Sequence, residues 1–230
     1  MLEKARYISM WNIQNASNYL AAKIALILKF DEDFEEVLAY GAFVILHTFW
    51  SIVFTLIFGF IFKVPMEAVI ISFAASILRK NSGGVHASTP NRCIAIATTV
   101  FVIIALFINQ LVSLSMVVSI VYCSSGFAFS YYIVYKKAPK DTPNKPITEE
   151  AMKNHLRSKA IKTIHIFLLL SIILLFMYSK GKHEYLLKIM LSLVSGVLWQ
   201  SITLTNLGSL IVSNLDSLLE KIACLVGGEK

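Results

Sequence analysis

The chain has 230 residues, 57% of them hydrophobic and only 15% charged, with a mean hydropathy of +0.69. Soluble domains carry roughly a quarter charged residues, so this composition excludes a soluble globular protein and predicts an all-α, polytopic integral membrane protein. The net charge of +7 then reads as an orientation signal on membrane loops, and no nucleic-acid partner is expected.

Residues 1–38 form an N-terminal amphipathic region. Its opening, MLEKARYISMWNIQNASNYL, alternates polar and apolar residues without the continuous apolar run of a secretory signal, so the first true span is expected to act as the insertion signal. Residues 5–29 place Ile8, Trp11, Ala16, Tyr19, Ala22, Ala25 and Leu26 near helical spacing, with Lys23 and Lys29 beside them. The pattern suits a helix lying on the membrane surface, or equally one packed on the protein.

A membrane domain follows over 39–204. At about 20 apolar residues per crossing, six segments are predicted, at 39–62, 64–78, 94–112, 116–135, 160–178 and 185–204. The second, VPMEAVIISFAASIL, is short for a hydrocarbon core of ~30 Å. It crosses if Lys63 and Arg79 snorkel or neighbours bury its ends, and is re-entrant otherwise. Six crossings put 17 of the 21 Lys and Arg on one side and 4 on the other, against a weaker 14 to 7 for five. The positive side faces the cytoplasm, which assigns there both termini, the loop 79–93 and the loop 136–162. Residues 205–230 close the chain with a second amphipathic segment.

Thr48, Ser51, Ser72, Ser76, Ser124, Ser125, Gly126, Ser195 and Gly196 are small or polar residues inside the spans, a composition that favours close helix packing. No Asp, Glu or Arg lies deep in a confident span, which argues against a proton-coupled transporter. The three cysteines, Cys93, Cys123 and Cys224, are odd in number and form no CxxC pair; this fits a reducing compartment rather than a disulfide framework. His47, His155, His165 and His183 show no metal-ligand spacing, so neither a metal nor another cofactor is expected.

The chemistry concentrates in RKNSGGVHASTPNRC at 79–93. Gly83 and Gly84 end the preceding helix and admit positive φ. Ser88 or Thr89 before Pro90 reads as an N-cap followed by the first helical residue, which sets Cys93 in the first turn of the next span. The helix N-terminus and the neighbouring Arg92 favour a thiolate there. In one straight helix His86 would sit ~10.5 Å from Cys93 along the axis. A loop that folds back would instead pair imidazole and thiol as base and nucleophile, with the free N–H groups of the helix start as oxyanion donors. Spacing alone leaves open a pair of solvated bystanders in a transporter or a non-enzymatic scaffold.

Arg79, Gly84, His86 and Cys93 in a loop between apolar segments, followed by YKKAPKDTPNKPIT at 135–148, resemble the AgrB (accessory gene regulator B) family of membrane peptidases from Gram-positive bacteria, over about residues 39–200. The resemblance implies a cysteine endopeptidase of the bacterial cell membrane that cuts an AgrD-type quorum-sensing propeptide and closes it into a thiolactone. Cys93 would be the nucleophile and His86 its base, with Arg79, Gly83 and Gly84 supporting the loop. The expected partners are that propeptide, membrane lipids and a second copy of the chain in a homodimer. In the basic loop 136–162, Lys136, Lys137, Lys140 and Lys145 are candidate contacts for an acidic part of the propeptide. Glu67, Asp141 and Asn144 are candidates to orient His86.

Overall fold

A computed structural model of the chain describes residues 13–112, 115–140 and 149–227. Among the described residues there are eight helices: α1 (Ile13–Leu28), α2 (Glu32–Ile61), α3 (Pro65–Ser82), α4 (Pro90–Val112), α5 (Met116–Lys137), α6 (Glu150–Gly181), α7 (Glu184–Thr203) and α8 (Asn206–Gly227). Five of them, α2, α4, α5, α6 and α7, are long and apolar enough to cross a membrane. Outward residues such as Phe60 and Ile61 on α2 and Leu169 and Phe176 on α6 are large, apolar and exposed, the surface that lipid rather than water requires.

The short second segment packs inside the bundle along one face. Val64, Ala68, Ile71, Ala74 and Leu78 have no exposed surface, because α2, α4, α6 and α7 all pack around α3. Its 18 residues carry Glu67, Arg79 and Lys80, so hydropathy alone does not mark it as a span. Both of its ends nevertheless meet the corresponding ends of α7. Glu67 pairs with Lys188 at 3.7 Å near the two N-termini, and Gln200 donates to Ser82 at 3.1 Å near the two C-termini. The two helices therefore run parallel, and neighbouring helices cover most of α3 while its Met66 and Phe73 side chains stay exposed.

Small residues permit that contact. A Cβ on Gly196 would stand 2.8 Å from the Ala74 Cβ and overlap the Ile71 carbonyl. Gly196→Val is expected to destabilise the bundle by about 1–3 kcal/mol through overpacking, read as a lower thermal midpoint of the purified protein in micelles. An unchanged midpoint would show that α3 and α7 can part without cost.

A tight reversal joins α2 to α3. Lys63 takes a left-handed conformation, φ +60°, and the Val64 N–H donates to the Gly59 carbonyl at 2.8 Å. A Cβ on Gly59 would stand 2.8 Å from the Pro65 Cα. In such an antiparallel hairpin, residues equally distant from the turn lie level, which brings His47 to the height of Arg79.

Helix α1 packs along α2 through Ile13, Ser17, Ala21 and Ala25, all buried. Ala25 belongs to the packed stripe, whereas Tyr19 and Leu26 are exposed, and Ile8 and Trp11 lie outside the described residues. The reversal at Lys29 (φ +56°) lays α1 against its neighbour, and a four-residue spacing of small residues lets two helices approach.

Candidate active site

Segments distant in sequence meet at one end of the bundle: the C-terminal ends of α3, α5 and α7, the start of α4, and α8. The loop 83–89 crosses this end. Gly83 (φ +68°) caps α3, its N–H donating to the Arg79 carbonyl at 2.9 Å. A side chain there would overlap the Lys140 carbonyl, because the Lys140 N–H donates to the Ser82 carbonyl at 2.9 Å and lays the chain beyond α5 beside the loop. At Gly84 (φ +141°) a Cβ would stand 2.8 Å from the Thr203 hydroxyl and 3.1 Å from the Gln200 amide nitrogen. Both glycines are thus required by conformation and by close approach.

Two polar side chains, Gln200 buried and Arg79 half-buried, then hold the loop by its carbonyls. Gln200, 1% exposed, donates from Nε2 to the Gly83 carbonyl at 2.7 Å. The Arg79 guanidinium donates to the Val85 carbonyl. A carbonyl left unpaired at such depth would cost ~1–3 kcal/mol, so each bond fixes the path of the chain.

Between the two alternatives for the α4 cap, the structure selects Thr89. Its hydroxyl accepts from the Arg92 N–H at 3.3 Å, and its carbonyl accepts from the Cys93 N–H at 3.0 Å. Pro90 is the first helical residue and Cys93 lies in the first turn, as expected. The oxyanion expectation needs correction. The amides of Arg92 and Cys93 are already engaged by Thr89 and are not free donors.

Cys93, half-buried, opens on a cavity of about 40 Å³ lined by Arg79, Val85, Ala87, Trp199, Thr203 and Val212, among others. Arg79 interacts electrostatically with both Cys93 and His86. His86 itself is exposed and is not a wall of that cavity. Its neighbours Val85 and Ala87 face Cys93, and alternate side chains of an extended segment point to opposite sides. The imidazole lies within electrostatic reach of Arg79 and His47. Partial desolvation, then the positive fields of Arg79 and His47, lower its pKa to about 4. A general base often reaches its contact distance only when substrate is bound.

His47, dismissed in the sequence as a metal ligand, is part of this cluster. It lies near the Pro90 backbone at the start of α4 and within electrostatic reach of Arg79 and His86. The hairpin register was the signal that could have found it. Glu67 is removed as an orienting residue for His86, since it pairs with Lys188 at the opposite end of α3. Asp141 and Asn144 lie outside the described residues, as does Lys145. Lys136 and Lys137 form the last turn of α5, exposed, with the Lys136 ammonium over the Tyr132 ring. The Lys140 ammonium donates to the Ser209 hydroxyl of α8 at 2.8 Å. Among the described residues no group of three or more His, Cys, Asp and Glu could hold a metal ion.

A bundle of apolar helices with a cysteine, an arginine and two histidines gathered near one end is a polytopic membrane protein with a candidate thiol centre. The chain belongs to the AgrB family: the family profile, described as accessory gene regulator B, matches residues 13–204. It is 34% identical over 212 residues to an AgrB-like protein 2 of Clostridium perfringens (strain 13 / Type A), covering 91% of this chain and 99% of the relative. It is also 35% identical over 216 residues to an AgrB-like protein of Clostridium perfringens (strain SM101 / Type A), with the same coverage. No solved structure matches. Membership connects the chain to agr quorum sensing and to an AgrD-type propeptide. Helix α8 begins just beyond the family match.

Proposed function

We propose that the chain is a cysteine endopeptidase that cleaves an AgrD-type propeptide through an acyl thioester and cyclises it to a thiolactone. The observation that carries this reading is the placement of Cys93 on the first turn of α4, opening on a small cavity whose lining includes Arg79, with His86 on the loop that contributes Val85 and Ala87 to the same cavity. His86 takes the Cys93 proton, and the sulfur attacks the scissile carbonyl carbon. The carbonyl π electrons move to oxygen, where Arg79 stabilises the negative charge. As the C–N bond breaks, His86 returns the proton to the leaving amine and the C-terminal tail departs. A thiol within the bound propeptide then loses its proton to His86 and attacks the thioester, forming the ring and restoring Cys93. Exchange of one thioester for another nearly conserves free energy, whereas hydrolysis would dissipate the activation. A bound propeptide that fills the small cavity at Cys93 would favour exchange by displacing water.

In this reading the site end faces the cytoplasm, and the exposed Lys136 and Lys137 receive an acidic part of the propeptide. The test is mass spectrometry of the cognate propeptide coexpressed with the wild-type chain. The tail should be released, together with a species one water lighter than the linear acid. Intact propeptide at normal expression of the chain would remove the proposal.

The low pKa of His86 sets a further expectation. A base of pKa about 4 stays neutral throughout the physiological range, so kcat/KM of purified protein in vesicles should fall only as pH drops through about 4, rather than near the ordinary value of about 6.5. Stability follows the same sign. Between those two values the unfolded chain takes up the proton first, so acidification through this window favours unfolding. An acid limb near neutrality would exclude His86, in its present surroundings, as the base.

A further inference from the structure

Helix α8 contributes to the site although it lies outside the family match. Its Asp216 carboxylate joins the two flanks of the candidate centre. Oδ2 accepts from the Ser88 hydroxyl at 2.6 Å and from the Ser88 N–H at 3.1 Å. Oδ1 lies 3.3 Å from an Arg92 guanidinium nitrogen, which also donates to the Asp216 carbonyl at 3.3 Å. Glu220, one turn further along α8, stands 3.5 Å from the same nitrogen. Ser88 is two residues after His86, and Arg92 is the residue before Cys93. The Asp216 side chain is 16% exposed, so these bonds are partly sheltered from competing water. On the same helix Val212 closes one wall of the Cys93 cavity, and Ser209 receives Lys140.

We propose that α8 is a strap across the site and that Asp216 is a positioning residue, fixing the His86 loop through Ser88 relative to the Cys93 turn through Arg92. The physical reason is geometric. A loop with two glycines at positive φ has few conformational restraints of its own, and proton transfer between an imidazole and a thiol requires their relative placement to within fractions of an ångström. A single carboxylate that binds the loop with one oxygen and the helix turn with the other ties both to a rigid element. Hydrogen bonds from Ser88 lead the influences that hold its carboxyl below the usual range, against some desolvation and with help from Arg92; the clasp is therefore charged at neutral pH. The catalytic part of the inference rests on the peptidase reading above, whereas the holding of the loop does not.

The experiment compares wild type with Asp216→Ala, Asp216→Asn, Ser88→Ala and the double variant Asp216→Ala/Ser88→Ala, each as the full chain in vesicles. Two readouts are taken: hydrogen exchange of residues 85–92 by mass spectrometry, and kcat and KM for release of the propeptide tail. The expected result is faster exchange over 85–92 in Asp216→Ala, with kcat lowered roughly tenfold to a hundredfold at nearly unchanged KM, the scale of a misplaced reacting group. Asp216→Asn, which still accepts from Ser88 but loses the charge facing Arg92, should fall between. The double variant should lose little more than Asp216→Ala, since both residues act through one contact.

Unchanged exchange in Asp216→Ala would overturn the proposal whatever the activity. Faster exchange with unchanged kcat would overturn the positioning role as well. If wild type releases no tail under any condition, the peptidase reading fails, and the exchange readout still decides whether Asp216 holds the loop.

Discussion

Cys93→Ala should abolish release of the propeptide tail, with a fall of at least about 10³-fold, because no other group in the cavity can form the acyl intermediate. The cavity beside Cys93 offers Arg79, Thr203 and apolar walls; a guanidinium is no nucleophile, and the Thr203 hydroxyl donates to the Gln200 carbonyl at 2.7 Å. The other free cysteines cannot substitute, since Cys123 is buried in α5 and Cys224 lies two turns beyond Asp216 on α8. Removing one sulfur from the half-exposed first turn leaves the Thr89 cap and the core intact, so membrane level should be unchanged. The decisive comparison is tail release with wild type and Cys93→Ala side by side. Processing by the variant at the wild-type rate would mean that Cys93 is not the nucleophile, and a transporter or scaffold reading would regain its place.

Arg79→Gln is expected to lower kcat by about 10²–10³-fold, the usual consequence of removing one oxyanion donor, and to move the acid limb of the pH profile upward. Both effects come from one guanidinium at the end of a buried helix, which holds the Val85 carbonyl, lines the Cys93 cavity and raises the local positive field at His86. The direction of the pH effect follows from the order of causes. Desolvation of His86 remains in the variant, while repulsion by Arg79 is lost, so the imidazole accepts a proton more readily and the limb moves from about 4 toward its ordinary value. Arg79→Lys separates the roles. An ammonium preserves the charge but not the fork of donors, so it should leave the limb nearly in place while still lowering kcat. A profile that stays fixed in Arg79→Gln would show that Arg79 does not set the field at His86.

Hydropathy and charge made much of the architecture legible. The five long apolar helices follow the predicted spans closely, α4 starts at Pro90 as the Thr-Pro signal requires, and the two glycines end α3 where the sequence says a helix must stop. Local chemistry dictates these features, since a cap, a proline or a glycine acts on its own few neighbours. The residues that complete the site follow no such rule. His47, Gln200 and Asp216 stand on α2, α7 and α8, and in sequence each resembles an ordinary polar residue on an apolar helix.

The sequence by itself determined that the chain is helical and membrane-spanning, and it singled out the one loop where a thiol, an imidazole and a guanidinium occur together. Only the tertiary structure decided that the short second segment packs along α7, that His47 joins the surroundings of His86 and Arg79, and that α8 returns to bind the loop. Hydropathy measures transfer from water, and lipid and protein interior are both apolar. It therefore reports that a helix enters the membrane but not which neighbours surround it there. Those neighbours are chosen by close contacts such as Gly196 against Ile71 and Ala74, and by polar pairs such as Ser88 with Asp216, separated by 128 residues. Neither kind of contact has a signature within a single segment.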